Sequence, residues 1–597
     1  MDAVTSGLAL GVTRSLGGRR WIWRQASGEA IERAGMAIAQ RLGVPEILGR
    51  LLAGRGIGVE TAGDFLEPTL RALMPDPDTL VDMPVAAARL ADAVQRGETV
   101  AVFGDYDVDG ACSGAVMAGF LRGLGCETIS YVPDRLTEGY GPNANALRGL
   151  VERGATLIVC VDCGTAAAEA LDAVRGAAEV VVIDHHKAEG PPPAIVATVN
   201  PNRLDCQSGL GTLCAAAIAF LVTVATLRLL RQRGFFARMT EPDLREQLDL
   251  VALATVCDVM PLIGLNRAFV TQGLKIMARR ARVGVAALLD AAMVKDKPSA
   301  MTLGFALGPR INAAGRIAES DLGLRLLLCE DAIDARALAV TLDAVNRQRQ
   351  AVEAGMLDDA LQAAERQLAD GHPTVLVAGA QWHPGVVGIV AGRIKERFNR
   401  PACVAGIADG IAKGSGRSIA GLDLGAVVIA ARQHGILVTG GGHAMAAGFS
   451  LAESRLADFH AFLDARLADA AALPSAADLA VEGTLAIAGC TTEVAQQIAR
   501  LAPFGNGNDE PVMILPRTRV VRADRVGKEA ATIRAFLEGE GGGPRLKGVM
   551  FRARDGAVAE ALLRRDGAPL HLAGHLRAEE WNGATTPSFI ITDAALA

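Results

Sequence analysis

Three aspartates stand within five residues at Asp105, Asp107 and Asp109, in the heptapeptide Gly104-Asp105-Tyr106-Asp107-Val108-Asp109-Gly110. On a turn with so little side-chain bulk they can converge on one point, and carboxylates that close repel unless a cation sits among them. An exposed acidic turn would account for this heptapeptide alone. The pattern recurs twice, however: residues 156–161 are a largely apolar run ending in Asp162-Cys163-Gly164-Thr165, and residues 179–183 end in Asp184-His185-His186. Carboxylates with one or two imidazoles form a hard, mixed oxygen and nitrogen donor set, whose oxygens suit Mg²⁺ and whose imidazoles shift preference toward Mn²⁺. Two such ions can activate a water and stabilise the leaving oxygen of an in-line displacement at phosphorus. No Walker-type Gly-Lys-Ser loop follows a strand, which argues against nucleoside triphosphate hydrolysis. No Ser-His-Asp or Cys-His pairing stands out to indicate a covalent intermediate.

These residues need elements to bring them together. An apolar run at 100–103 precedes the first cluster, a small-residue segment at 111–125 follows it, and helix-like segments at about 143–153 and 166–177 separate the others. Alternating strand and helix implies a parallel sheet, whose strand C-termini share one ligand-binding edge. Asp105, Asp107, Asp109, Asp162, Asp184, His185 and His186 are therefore expected on one rim. Three further segments add to it. Arg135-Leu136-Thr137-Glu138-Gly139-Tyr140-Gly141 is a turn with a cation, an acid and a phenol. The apolar segment 250–256 ends in Cys257-Asp258, which makes Asp258 a further candidate ligand. Gly308-Pro309-Arg310-Ile311-Asn312-Ala313-Ala314-Gly315-Arg316 reads as a Gly-rich loop, with Arg310, Asn312 and Arg316 suited to phosphate.

A chain of 597 residues suggests three or four domains. Its net charge of −6 means that any polyanion contact comes from local basic clusters. Residues 1–10 lack a basic segment and a long apolar core, so no secretory signal is expected. The densest uncharged stretch, 213–227, is short for a membrane span and reads as a buried helix. Ten scattered cysteines, with Cys160 and Cys163 astride Asp162, read as structural thiols in a reducing cytosol. The expected location is thus cytoplasmic, with no membrane partner.

Residues 1–75 form an N-terminal segment, where Trp21 and Trp23 lie beside Arg19, Arg20 and Arg24. Stacking on bases is one use of such a cluster; pinning the segment to a neighbouring domain is preferred. The sheet domain covers 76–328. Residues 329–370 contain one glycine, Gly355, and no proline, and 331–370 keep a helical rhythm that would span about 60 Å. Residues 371–470 read as a second α/β unit: a strand at 374–378, a helix opening after Trp382-His383-Pro384-Gly385, a Gly-rich turn Lys413-Gly414-Ser415-Gly416-Arg417-Ser418, and a tight loop at 440–448 around His443. Glycine-bared helix N-termini attract phosphate. Residues 471–597 hold short strand-like runs at 480–485, 512–515, 568–574 and 588–591, and a turn with an aromatic knob, Pro503-Phe504-Gly505-Asn506-Gly507-Asn508. Arg517, Arg519, Arg522, Arg525, Lys528, Arg545, Lys547 and Arg552 make this region locally basic. Strand spacing leaves a barrel or a sandwich open; basic and aromatic residues on short strands suit an OB-type barrel that tracks a single strand.

The Asp-Tyr-Asp-x-Asp-Gly, Asp-x-Gly-Thr, Asp-His-His and distal Asp258 segments resemble the motifs of the DHH phosphoesterase superfamily. Asp105-Tyr106-Asp107 together with Arg310-Ile311-Asn312-Ala313-Ala314-Gly315-Arg316 resembles its RecJ branch, over most of the chain. The resemblance implies an α/β fold: a parallel-sheet DHH domain joined by a long helix to a smaller α/β DHHA1 domain, plus a C-terminal OB-type β-barrel. It implies Mn²⁺ or Mg²⁺, two ions, with Asp107 and Asp162 holding one and Asp109, Asp162, His185 and Asp258 the other. Asp105 ligates directly or from behind, His186 contacts the scissile phosphate and Asp184 orients a histidine. Arg310, Asn312 and Arg316 grip phosphates near the site, and Arg393, Lys413, Ser415, Arg417 and His443 face nucleic-acid backbone. The implied activity is 5′–3′ exonuclease action on single-stranded DNA in mismatch and recombinational repair, through a channel too narrow for duplex. A single-strand-binding protein and a repair helicase are the implied partners. Two other readings remain: a DHH phosphodiesterase for short oligonucleotides or cyclic dinucleotides, and a non-catalytic DHH replication scaffold. The chain departs from the family pattern at Ala254, where glycine is expected, at 204–214, and at Asp509, where proline is common.

Overall fold

The computed structural model describes residues 7–24, 29–135, 137–237, 239–474, 476–527, 530–553, 556–564, 567–581 and 583–597; Leu136 and Lys528 lie outside them. The chain divides into two compact units, residues 67–350 with 503–509, and residues 1–66 with 351–502 and 510–597.

The first unit is built on five parallel strands: β1 (Val100–Gly104), followed by helix α1 (Val108–Gly123), then β2 (Thr128–Tyr131), β3 (Leu157–Val161), β4 (Glu179–Ile183) and β5 (Ala197–Val199). Their spatial order is β2-β1-β3-β4-β5. β1 and β3 are buried along their whole length, as strands covered on both faces must be, and so read as unbroken apolar runs. The register decides where the acids fall. Gly104 pairs with Val161, and Val161 with Ile183, so the residues that follow them, Asp105, Asp162 and Asp184, leave the sheet side by side. The strand order reverses direction between β1 and β3, which opens a crevice at that edge.

Helix α2 (Ala215–Gln232) has the length and hydropathy of a membrane span, but 72% of that window is buried inside the unit. Helix α3 (Leu248–Cys257) is core along most of its length, and Ala254, fully buried, fits without a glycine. The expected helix at 166–177 is only one turn, Ala168–Asp172. The Gly-rich segment 305–316 is no phosphate loop: a π-helical turn (Thr302–Leu307) runs into helix α4 (Gly308–Ile317). Its Gly315 serves close packing, since a Cβ there would lie 2.4 Å from the carbonyl oxygen of Tyr106. Helix α5 (Ala332–Ala369) has 38 residues, about 57 Å at 1.5 Å each, and runs from the first unit into the second.

In the second unit, β6 (Val375–Ala380), helix α6 (Val387–Phe398), β7 (Ala402–Ala408), β8 (Ile411–Arg417), β9 (Thr439–His443) and β10 (Ala446–Ala452) form a sheet of order β9-β10-β8-β7-β6. Lys413–Arg417 is therefore strand rather than turn, and the 440–448 loop is a hairpin. The alternate glycines here make room for the sheet's covering: Cβ atoms at Gly414 and Gly416 would collide with Phe449 and Leu424. The C-terminal strands β11 (Met513–Val526), β12 (Thr532–Gly539), β13 (Leu546–Met550), β14 (Leu570–Trp581) and β15 (Ala584–Leu596) close into a barrel, because β14 pairs back onto β11. They are longer than the apolar runs suggested, since alternation with polar residues on the outer face carries each strand onward. Near the N-terminus, Trp21–Trp23 pairs in parallel with Leu479–Val481. Trp21 is fully buried, its Nε1 donates to Asp593 at 3.0 Å, and Ser15 Oγ donates to the same carboxylate at 2.7 Å. The tryptophans thus pin the segment. Among the described residues all ten cysteines are free thiols.

Candidate metal centre

His185 lies at the middle of the rim. Its Nε2 is 3.3 Å from Asp162 Oδ1, 3.6 Å from Asp258 Oδ2 and 3.8 Å from Asp109 Oδ2. Beside it, donor atoms of Asp105, Asp107 and Asp162 lie within 4.8 Å of one another. Asp162 thus borders both clusters. It adopts a left-handed backbone, φ 61°, at the end of β3, and its carbonyl accepts the Tyr140 hydroxyl at 3.2 Å. Asp258 arrives not from a strand but from the C-terminal cap of α3.

The surroundings of these carboxylates fit a divalent cation. Asp105 Oδ1, Asp162 Oδ1 and Asp258 Oδ2 are buried and accept no hydrogen bond from protein. An orphaned buried carboxylate oxygen is costly, and a cation is what would satisfy several at once. Burial, with the charge of Asp107 added, pushes the Asp105 carboxyl up to about 8. Burial and then Asp109 and Asp107 raise Asp258 to about 8 as well, and Asp162 is driven well above the carboxylate range by burial and four acidic neighbours. Asp107 is half committed: Oδ1 caps α1 by accepting the amides of Asp109 and Gly110 at 2.9 and 3.1 Å. Asp109 accepts the Ala215 and Ala216 amides at 2.7 and 2.8 Å, the N-terminus of α2. Helix N-termini favour carboxylate, so this contact fixes the side chain and eases its charge.

Asp184 behaves differently. Its Oδ1 accepts His186 Nδ1 at 2.7 Å and the amides of His185 and His186, and its Oδ2 accepts the Thr165 amide at 3.0 Å. Burial pushes this carboxyl upward, but the bond and charge of His186, with Thr165, outweigh it and hold it below the usual range. Burial pulls His186 down, and Asp184 outweighs that in turn, lifting the imidazole to about 9. Both partners therefore agree on an ion pair, and Asp184 orients the histidines instead of facing the donor cluster. Asn200 and Asn202, past the end of β5, hold the same turn: Asn200 Nδ2 donates to the His186 carbonyl at 2.8 Å, and Asn202 Nδ2 to the His185 carbonyl at 2.6 Å. These two were missed from sequence, although an apolar run ending in Val199-Asn200-Pro201-Asn202 repeats the strand-end pattern with amides in place of acids.

Of the expected phosphate grips, Arg310 and Asn312 make contacts within the protein. Arg310 pairs with Asp343 at 2.9 Å and donates to the Ala306 carbonyl, and Asn312 Oδ1 accepts the Val108 amide at 3.1 Å in the first turn of α1. Arg316 lies close enough to bear on the Tyr106 phenol. Together with Gly315, Asn312 makes α4 a brace for the Asp-Tyr-Asp turn. In the second unit, Lys413, Ser415 and Arg417 alternate along one face of β8. Arg417 donates to Ser415 Oγ at 2.8 Å, and a Cβ at Gly388, in the first turn of α6, would lie 3.1 Å from both side chains. A helix N-terminus, a guanidinium and a hydroxyl thus share one spot, the kind of place that takes phosphate. His443 is exposed at the end of β9, while Arg393 pairs with Glu353 and Glu396.

Comparison with known proteins agrees with this geometry. The DHH family N-terminal domain matches residues 99–255, the DHHA1 domain residues 372–469 and the RecJ OB domain residues 481–593. The single-stranded-DNA-specific exonuclease RecJ of Dickeya dadantii is 39% identical over 569 residues, 92% of this chain and 96% of that protein. Its counterpart in Escherichia coli is 37% identical over 571 residues, 92% and 95%. The crystal structure of RecJ from Thermus thermophilus in complex with Mn²⁺ matches with a TM-score of 0.78 at 29% identity, over 94% of this chain and 78% of that one. Sharing 39% of its residues over nearly the whole length of both proteins, the chain belongs to the RecJ family of single-stranded-DNA-specific exonucleases.

Proposed function

We propose that this chain hydrolyses the phosphodiester bonds of single-stranded DNA from the 5′ end, releasing mononucleotides, with two divalent cations. The observation that carries the reading is the set of three buried, unpartnered carboxylate oxygens, on Asp105, Asp162 and Asp258, around His185 at the sheet's switch point. Asp105, Asp107 and Asp162 would hold one ion, and Asp109, Asp162, His185 and Asp258 the other. Relatives solved with Mn²⁺ and with Mg²⁺ support either metal. When bound, the ions supply water activation and charge neutralisation at the attacked phosphate. The protein's own residues do the positioning. His186, ion-paired to Asp184 and beside the Tyr140 hydroxyl at 3.2 Å, presents a cation to the scissile phosphate. Arg417 and Ser415 at the α6 N-terminus, with Lys413 further along the same strand, take backbone phosphates, with His443 and Arg393 as further contacts, and the barrel's basic face follows the strand. Single-stranded DNA delivered by a repair helicase or held by a single-strand-binding protein is the substrate this arrangement suits, in the cytoplasm.

The test uses a 5′-labelled single strand and its matched duplex, with Mn²⁺, Mg²⁺ or EDTA. Labelled mononucleotide released at once from the single strand only, and not in EDTA, is the expected result. Cleavage confined to very short oligomers or cyclic dinucleotides would replace this reading with a small-substrate phosphodiesterase. Tight binding without cleavage would make the protein a scaffold.

Arg417 separates binding from chemistry. Arg417→Ala is expected to raise KM for a long single strand about tenfold while leaving kcat nearly unchanged, the loss of one charge-assisted phosphate contact. The slope of log KM against log salt should become shallower by roughly 0.7, the value for one phosphate contact on a single strand. A fall in kcat with an unchanged salt slope would place Arg417 outside the strand's path.

A further inference from the structure

The segment 503–509 lies in sequence between a helix (Thr492–Ala499) and β11, yet it packs with the first unit, against the turn that follows Asp258. Asn506 Nδ2 donates to the Val259 carbonyl at 2.7 Å, and the Asn506 carbonyl accepts the Leu262 amide at 2.7 Å. One residue thus holds both sides of the turn 259–262. The segment is itself locked. Gly505 and Asn508 exchange backbone hydrogen bonds at 3.0 Å, and the buried Asn508 Nδ2 donates to the Pro503 carbonyl at 2.8 Å. Arg267, 1% exposed, also reaches the Pro503 carbonyl, at 3.4 Å. Gly507, φ 71°, lies so close that a Cβ there would come within 2.9 Å of Pro261 Cβ.

The gripped turn is a strained one. Val259 has φ 57°, a left-handed backbone that a β-branched residue resists and that helix ends ordinarily give to glycine. The residue is 64% exposed, so burial of the valine does not hold it there. Such a conformation persists where surrounding structure over-determines it, and it is found where geometry has to be set for function. The residue before it is Asp258, whose Oδ2 is buried, accepts no hydrogen bond and stands 3.6 Å from His185 Nε2. A change in the Val259 backbone would swing Asp258 away from that donor set.

We infer that Asn506 is a positioning residue for the metal centre: by gripping the Val259 carbonyl it holds the strained turn that aims Asp258 at the cation shared with Asp109 and His185. This rests on the proposed reading of Asp258 as a ligand. The aromatic-knob turn noted in the sequence thereby gains a role at a turn 247 residues earlier in the chain. Asn506 itself is exposed and its side chain donates to the backbone of Val259, so replacing it removes that hydrogen bond without emptying a buried space.

The test counts bound Mn²⁺ by electron paramagnetic resonance on the full-length protein, for wild type, Asn506→Ala, Asn506→Asp and Gly507→Ala. Wild type is expected to bind two ions. In Asn506→Ala one of the two should weaken about tenfold while the other is unchanged. Asn506→Asp should weaken the same ion further, because a carboxylate would then oppose the Val259 carbonyl. Gly507→Ala, which lifts the loop by a different route, should reproduce the effect if an Asn506 variant folds poorly. The melting temperature in EDTA should stay at the wild-type value, and exonuclease kcat should recover as Mn²⁺ is raised. Two ions bound by Asn506→Ala with wild-type affinity would overturn the inference. Equal weakening of both ions with a lowered melting temperature in EDTA would overturn it too, by reducing Asn506 to general support. A wild-type protein that binds no pair of Mn²⁺ ions would instead remove the reading beneath it.

Discussion

Asp162→Ala is expected to lower single-strand exonuclease kcat by about a thousandfold or more, close to 4 kcal/mol of barrier. It is also expected to reduce the number of Mn²⁺ ions bound. The reason is position. Asp162 shares one donor cluster with Asp105 and Asp107, and its Oδ1 lies 3.3 Å from the His185 nitrogen of the other. Losing it would break both donor clusters, whereas losing Asp258 would break one. The isosteric Asp162→Asn should be equally inactive but should move stability in opposite directions with and without metal. In the fold this carboxyl is harder to ionise than in the unfolded chain, first because it is buried and then because four acids face it. A group whose value is raised in the fold favours the folded state at low pH and loses that favour as pH rises through the raised value. At neutral pH in EDTA the variant should therefore melt above wild type, and in saturating Mn²⁺ below it, since wild type alone gains the binding free energy of the ions. Thermal melts in the two conditions check this. A variant that melts below wild type in both would show that Asp162 stabilises the fold and is no strained ligand.

The rim was legible from sequence because three apolar runs of similar length each stop at an acid, and parallel pairing in level register leaves those stops adjacent. Asp258 was found by the same rule for a different reason: it ends a helix, and its apolar run is a core helix that cannot be told from a strand by periodicity. The rule failed where glycine has two meanings. The spacing in Gly308 to Arg316 and in Lys413 to Arg417 reads as turn chemistry, yet both segments are regular elements whose glycines admit a neighbour's backbone or side chains. The pairing of Arg310 with Asp343 was not legible, because Asp343 lies on a helix 33 residues away and sequence carries no sign of that contact. Asn200 and Asn202 were overlooked because neutral amides carry none of the charge that marks the acidic strand ends. Their work is on the carbonyls of His185 and His186, a contact visible only in three dimensions.

Those carbonyls bear on the histidine turn, and there the second large effect is expected. His186→Ala should lower kcat by about a hundredfold or more, the scale of a lost charge-assisted contact made at the transition state, with Mn²⁺ stoichiometry unchanged. Asp184→Asn should lose most of the same factor, although Asp184 faces no reacting group. Its Oδ1 holds His186 Nδ1 at 2.7 Å and is the cause that lifts the imidazole against the pull of burial. An amide at that position keeps the shape but removes the charge that keeps His186 cationic, and it can turn an N–H toward the ring. The two residues act as one device, so the double variant Asp184→Asn with His186→Ala should be hardly worse than His186→Ala alone. Groups that act through a shared partner are non-additive in this way, and the double-mutant cycle in kcat measures it. Additive losses would mean that Asp184 supports catalysis by another route, through the backbone amides of Thr165 and His185 that it also accepts. Losses accompanied by a missing Mn²⁺ ion would make His186 a ligand. The contrast with Asp162 is physical: there the environment disfavours charge until a cation arrives, whereas here each partner supplies the other's counter-charge, so the pair is set before substrate or metal binds.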